Sequence, residues 1–225
     1  MEKPPIQVVL VHGTSVAIPV MEAVIRGIDP RINVLHIADE PLLKDLLAVG
    51  HITPEIRWRF TQLVVEGARI NPDLIIVTGS SFSPCVDFAR EMVKVPVLKV
   101  DERMAQEAAA CGRRVAVVAT ERTTIGPTSS LLQRHAALLS RPLEVEVILC
   151  EGALTLLRRG EPAAHDARVL DCLRQRGALD VDAVVLAQVS LARLQSQVEG
   201  LTGKRVFSSP STAARMVREF LDRGQ

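Results

Sequence analysis

Eight short, apolar, β-branched runs punctuate the chain, and the stretches between them carry apolar side chains at helical spacing. A run with no polar face has to be covered on both sides. That condition is met by parallel strands sandwiched between crossover helices, so the pattern predicts an α/β fold. The expected strands are QVVLVH (7–12), INVLHIA (32–38), DLIIVT (73–78), VPVLKV (95–100), RVAVVAT (114–120), EVEVILC (144–150), DAVVLAQ (182–188) and KRVFS (204–208). Helix starts are signalled by Pro19, by Thr53-Pro54-Glu55, by Gly126-Pro127-Thr128 and by Ser209-Pro210-Ser211.

The strands fall into two sets of four that match each other in order. VLVHGTSVAIP corresponds to AVVATERTTIGPT, LIIVTGSS to VVLAQVS, and VPVLKVDE to KRVFSSPS. This weak internal repeat predicts two similar lobes of about a hundred residues, each a four-stranded parallel sheet flanked by helices, with a ligand cleft between them. The expected first lobe is 1–100 plus 208–225, where the final helix (Thr212 to Leu221) returns, and the second is 101–207. The join at Val100 to Asp101 has no Gly/Ser/Pro-rich linker.

A content of 48% hydrophobic residues in 225 supports sizeable cores. Twenty-seven basic against 26 acidic side chains give no broad field to hold a nucleic-acid backbone or an anionic membrane. With 3% aromatic residues and no Tyr there is no stacking platform for single strands either. Cys85, Cys111, Cys150 and Cys172 show no paired short spacing, so neither a zinc site nor a disulfide framework is expected. The amino-terminal apolar run is too short to be a leader or a membrane span, and the chain is expected to be cytoplasmic.

In open parallel sheets ligands bind beyond the carboxyl ends of the strands. Here those ends read His12-Gly13-Thr14-Ser15, Thr78-Gly79-Ser80-Ser81, Thr120 to Thr124, Gln188-Val189-Ser190 and Ser208-Ser209. Helix capping would account for Ser and Thr in any one loop. Repeated on one edge, they suit a small carboxylate gripped by backbone N–H groups and hydroxyls. No GxGxxG or Walker sequence follows a strand, no His/Glu/Asp cluster has metal spacing, and GSSFS is not the GxSxG turn of a serine hydrolase. His12, alone among the histidines at an expected strand end, is either a proton carrier or a histidine satisfied inside the fold.

These residues resemble the Asp/Glu/hydantoin racemase superfamily. VHGTSVAIP, TGSSFS, VATERTTIGPT and VVLAQVSLARL carry the resemblance, which spans nearly the whole chain. It implies a cofactor-independent isomerase or racemase acting at the carbon alpha to a carboxylate, with Thr14, Ser15, Ser80, Ser81, Thr123, Thr124 and Ser190 as substrate-binding residues. It also implies a small carboxylate as the partner, and leaves homo-oligomerisation open. In such racemases a cysteine follows the third strand of each lobe, one thiolate removing the alpha proton and the other thiol returning one.

The catalytic positions the resemblance assigns are Gly79 and Gln188; His12, at the end of the first strand, is with bound water the candidate for a replacement proton donor. Neither glycine nor a glutamine amide titrates near neutrality, so the two-thiol route is closed. Cys85 lies six residues beyond Gly79, about 9 Å along a helix and on another face, and is not expected to replace it. Glycine at the first position also resembles arylmalonate decarboxylase, which makes a lyase the runner-up. A carboxylate-binding protein without catalysis is the third reading.

Overall fold

The computed structural model describes residues 4–223. All eight expected strands form: β1 (Ile6–His12), β2 (Ile32–Ala38), β3 (Leu74–Val77), β4 (Val97–Lys99), β5 (Arg114–Ala119), β6 (Glu144–Leu149), β7 (Ala183–Leu186) and β8 (Arg205–Ser208). The helices are α1 (Ile18–Arg26), α2 (Glu40–Val49), α3 (Pro54–Arg69), α4 (Ser83–Met92), α5 (Glu102–Cys111), α6 (Arg122–Leu138), α7 (Ala153–Arg158), α8 (Pro162–Arg176), α9 (Gln195–Thr202) and α10 (Ser209–Arg223). Short 3-10 turns cover Ser15–Ala17, Ser80–Phe82 and Val189–Leu194.

The strands make two four-stranded parallel sheets, ordered β2-β1-β3-β4 and β6-β5-β7-β8. The chain divides into two compact units, one of Met1–Glu102 with Pro210–Gln225 and one of Arg103–Ser209. The two sheets share one strand order, which is the internal repeat expressed as topology. Each begins its third strand with the same device. In the first unit the Asp73 carboxylate accepts from the Gln7 N–H at 2.7 Å, and the Asp73 N–H donates to the Gln7 carbonyl. In the second, the Asp182 carboxylate accepts from Arg113 and Arg114 N–H at 2.6 and 2.9 Å, and its N–H donates to the Arg114 carbonyl.

Central strands are buried over most or all of their length: Val8 to His12 and Leu74 to Val77 in the first sheet, Val115 to Ala119 and Ala183 to Leu186 in the second. Burial of each Val, Ile or Leu side chain contributes about 1.5–3 kcal/mol, which accounts for the unbroken apolar runs. The edge strands β2 and β6 keep partly exposed faces. One core of the first unit packs Val9, Val11, Ile75 and Val77 under α2, α3 and α4, with Phe60 stacked on Phe82 at 4.7 Å between centroids. Gly67 lets α3 lie close on this sheet, since a Cβ there would stand 3.1 Å from Val9.

The cap at Thr53 follows the sequence signal, its hydroxyl accepting from the Ile56 N–H, and Asp39 caps α2 with a carboxylate that accepts from the Leu42 N–H. The expectation that Gly126-Pro127-Thr128 opens a helix is corrected. The α6 helix starts at Arg122, with Glu121 as its cap, and Pro127 lies inside it. Pro127 sits beyond the first turn, where a missing N–H is free of cost. The strand ends β3 and β7 also stop short of the expected limits, so Thr78, Ala187 and Gln188 belong to the loops beyond them.

Candidate functional site at the strand ends

Gly79 and Gln188 occupy equivalent places in their own units, each standing immediately before the 3-10 turn that follows the third strand. Gly79 has φ −102° and ψ 106°, ordinary extended backbone open to any residue. A Cβ there would sit 3.3 Å from the Phe82 ring and 3.7 Å from the Gly13 nitrogen, so a small side chain fits with a slight shift of the ring. Gly13 differs. A Cβ on it would fall 2.3 Å from Phe82 Cε2, which makes glycine there a packing requirement.

In the second unit the Gln188 side chain is tied down. Its Oε1 accepts from the Thr120 N–H at 2.6 Å and from the Thr120 hydroxyl at 2.9 Å, stitching the end of β5 to the end of β7. Its Nε2 donors take no acceptor among the described residues. A cavity of about 240 Å³ opens beside this stitch at the ends of β5 and β6, lined by Thr120, Arg122, Glu151, Thr155 and Arg158 among others.

The Thr14–Ser15 loop already holds a carboxylate from its own unit. Glu40 Oε1 accepts from the Ser15 N–H at 2.9 Å, from the Ser15 hydroxyl at 2.5 Å and from the Thr14 hydroxyl at 3.4 Å. Sequence reading missed Glu40, which sits at the first position of α2. Its signal was an acidic residue just past the second strand, next to the loop that ends the first.

Ser80 and Ser81 are buried in the 3-10 turn after β3. The Ser80 hydroxyl makes no hydrogen bond among the described residues. Thr123 and Thr124 fall in the first turn of α6; Thr124 is buried and its hydroxyl donates to the Glu121 carbonyl at 2.8 Å. Ser190 is half-buried in its 3-10 turn, and its carbonyl accepts from Arg193.

His12 is fully buried and both ring nitrogens are engaged, Nδ1 with the Thr78 hydroxyl at 2.7 Å and Nε2 with His36 Nδ1 at 2.9 Å. Loss of solvent, with the neighbouring His36, pushes its pKa down to about 4, so the ring is neutral near pH 7. Cys85 lies inside the core with Phe60 and Phe82, and burial pushes its thiol up to about 11. A buried thiol of that kind is inert. The four cysteines are free, and no group of three or more His, Cys, Asp or Glu among the described residues is arranged to hold a metal ion. No helix of the described residues is long and apolar enough to cross a membrane.

Each unit is thus a parallel sheet in the 2-1-3-4 order, with small hydroxyl-bearing loops gathered at the strand ends and paired positions after the third strand. That describes a two-unit α/β protein with an internal repeat. The model of the Asp/Glu/hydantoin racemase family matches residues 50–217, and the chain belongs to that family. The fold is similar to that of glutamate racemase RacE1 from Bacillus anthracis (18% identity, TM-score 0.73, 99% of this chain and 84% of that one). It is also similar to glutamate racemase from Thermus thermophilus in complex with β-chloro-D-alanine (21%, 0.74, 99% and 83%) and to allantoin racemase from Klebsiella pneumoniae (19%, 0.70, 97% and 89%). A search of curated proteins found no match to the chain.

Proposed function

We propose that the protein binds a small carboxylate through the strand-end loops of its first unit, which bear Ser80, Ser81, Thr14 and Ser15, and acts at the carbon alpha to that carboxylate. The observation that carries this reading is the Glu40 carboxylate seated on the Ser15 N–H and hydroxyl: the loop has the donors a carboxylate needs, in usable geometry. Ser80, with a hydroxyl that takes no partner among the described residues, supplies a donor in the neighbouring loop. Family membership and the racemase-like fold support the same chemistry.

Gly79 and Gln188 remove the two-thiol route, so a racemase of aspartate, glutamate or a hydantoin would need other proton carriers. The test is amide NMR during titration with malonate, L-glutamate and 5-methylhydantoin. Saturable shifts at Ser80 and Ser81 are expected with a carboxylate and not with the uncharged hydantoin. Shifts that ignore the carboxylate, or none at any of these loops, would refute the reading.

A further inference from the structure

Two of the four thiols stand together in the second unit. Cys150 follows the last residue of β6, and Cys172 lies within α8. Each sulfur reaches the other's element: Cys150 Sγ is 3.9 Å from the Val169 carbonyl oxygen of α8, and Cys172 Sγ is 3.8 Å from the Leu149 carbonyl oxygen of β6. The Leu149 carbonyl belongs to the peptide that leads into Cys150, so the Cys172 sulfur lies against the backbone of its counterpart. The two thiols are within hydrogen-bond reach of each other and pack in one apolar cluster with Val169 and Leu173.

Their surroundings differ, which gives them an order of reaction. Cys150 is 1% exposed; burial, with Cys172 beside it, raises its pKa and keeps it a thiol at neutral pH. Cys172 is half-buried and open to a small oxidant. Arg168, one turn before Cys172 on the same face of α8, donates from Nε to the Glu151 carbonyl at 3.2 Å. That sets a guanidinium beside the dithiol, where it opposes the effect of burial on Cys150. The remaining cysteines are elsewhere. Cys85 is in the core of the first unit. Cys111 packs with Val115 and Val117, whereas Cys150 and Cys172 pack with Ala116 and Val118, so the sheet itself stands between them.

We propose that Cys150 and Cys172 form a redox-active dithiol, which a hydroperoxide converts to a disulfide clamping the end of β6 to α8 and a small thiol reductant reopens. The Cys172 thiolate attacks a peroxide oxygen, the O–O bond breaks, and the departing oxygen takes up the proton Cys172 gave away. Cys172 is then a sulfenic acid. The Cys150 sulfur displaces hydroxide from it to form the S–S bond, and the Cys150 proton leaves with that hydroxide as water. Two thiols are oxidised and one hydroperoxide is reduced, with no other reactant. The closed segment carries Glu151, Gly152, Leu154, Thr155 and Arg158, which line the cavity at the ends of β5 and β6. Oxidation thus ties down one wall of that cavity, and the inference stands apart from the carboxylate reading.

The full chain is treated with hydrogen peroxide, remaining thiols are blocked with N-ethylmaleimide, and the product is digested with trypsin without reductant for mass spectrometry. The expected product joins residues 135–158, which hold Cys150, to residues 169–174, which hold Cys172. It should be lighter than the two peptides by two hydrogens and disappear on adding dithiothreitol. Cys85 and Cys111 should take no part in any cross-link. In Cys150→Ser the reaction should stop at the Cys172 sulfenic acid, trapped by dimedone at least about tenfold more than in the parent. Cys172→Ser, at the more open position, guards against misfolding of the first variant; Cys150 should then stay reduced, because the first oxidation falls on Cys172. Two thiols still reduced after peroxide, a cross-link that uses Cys111, or equal dimedone labelling in the parent and Cys150→Ser would each overturn the assignment.

Discussion

Alanine at position 13 directs a methyl group into the face of a buried aromatic pair. The added Cβ would lie 2.3 Å from Phe82 Cε2 and 2.8 Å from Cδ2, and Phe82 cannot swing away because it is fully buried and stacked on Phe60 with the rings 8° from parallel. Overpacking of this kind costs about 1–3 kcal/mol. At position 79 the same substitution meets the same ring at 3.3 Å, on backbone any residue adopts. Losing a glycine from the unfolded chain there returns about 0.4–1 kcal/mol. Gly13→Ala should therefore destabilise the first unit by about 2 kcal/mol, and Gly79→Ala should stay within about 1 kcal/mol of the parent. Urea unfolding followed by the fluorescence of Trp58, the sole tryptophan and part of α3 in the first unit, reads this difference. Phe82→Leu in the Gly13→Ala background should recover part of the loss. Equal effects at the two glycines, or no recovery, would refute the packing explanation and with it the claim that position 79 has room for a side chain.

Asp101 is buried, its Oδ1 accepts from the Ser83 hydroxyl at 3.0 Å, and its Oδ2 has no partner. Burial raises its pKa from 3.8 to about 6. Between those values the folded state keeps a proton that the unfolded state has lost, so stability falls as pH rises through the window and levels off above it. Asp101→Asn should thus stabilise the protein by up to about 3 kcal/mol at pH 7, with the gain vanishing below pH 4 in urea titrations; a gain that does not change with pH would contradict the assignment. In the second unit, Gln188→Leu removes the acceptor of the buried Thr120 N–H. A loss of about 1–3 kcal/mol and faster hydrogen exchange at the Thr120 amide are expected, while Gln188→Glu, which keeps an acceptor, should preserve protection.

Strands were readable because a parallel strand covered on both faces has to be apolar throughout, and β1, β3, β5 and β7 are the most buried segments of the chain. The repeat was readable for the same reason, since matching runs impose matching sheets. What escaped was pairing at a distance. His12 was visible at a strand end, but its partners come from β2 and from the loop after β3, its neighbours in a 2-1-3-4 order that composition does not encode. The Glu40 contact to Ser15, across 25 positions, is hidden by the same gap. Pro127 misled because proline is a first-turn residue by preference, whereas here Glu121 caps the helix one turn earlier, its carboxylate accepting from the Arg122 N–H.

The division of the chain has a consequence for its biosynthesis. The second unit is one continuous stretch, Arg103–Ser209, whereas the first recruits α10 from the far end of the sequence. As the polypeptide leaves the ribosome, the half that emerges earliest is the last to be finished. Until α10 arrives, Ala213 and Val217, fully buried in the finished fold, are missing from the first unit, so the earlier half completes its packing after its neighbour.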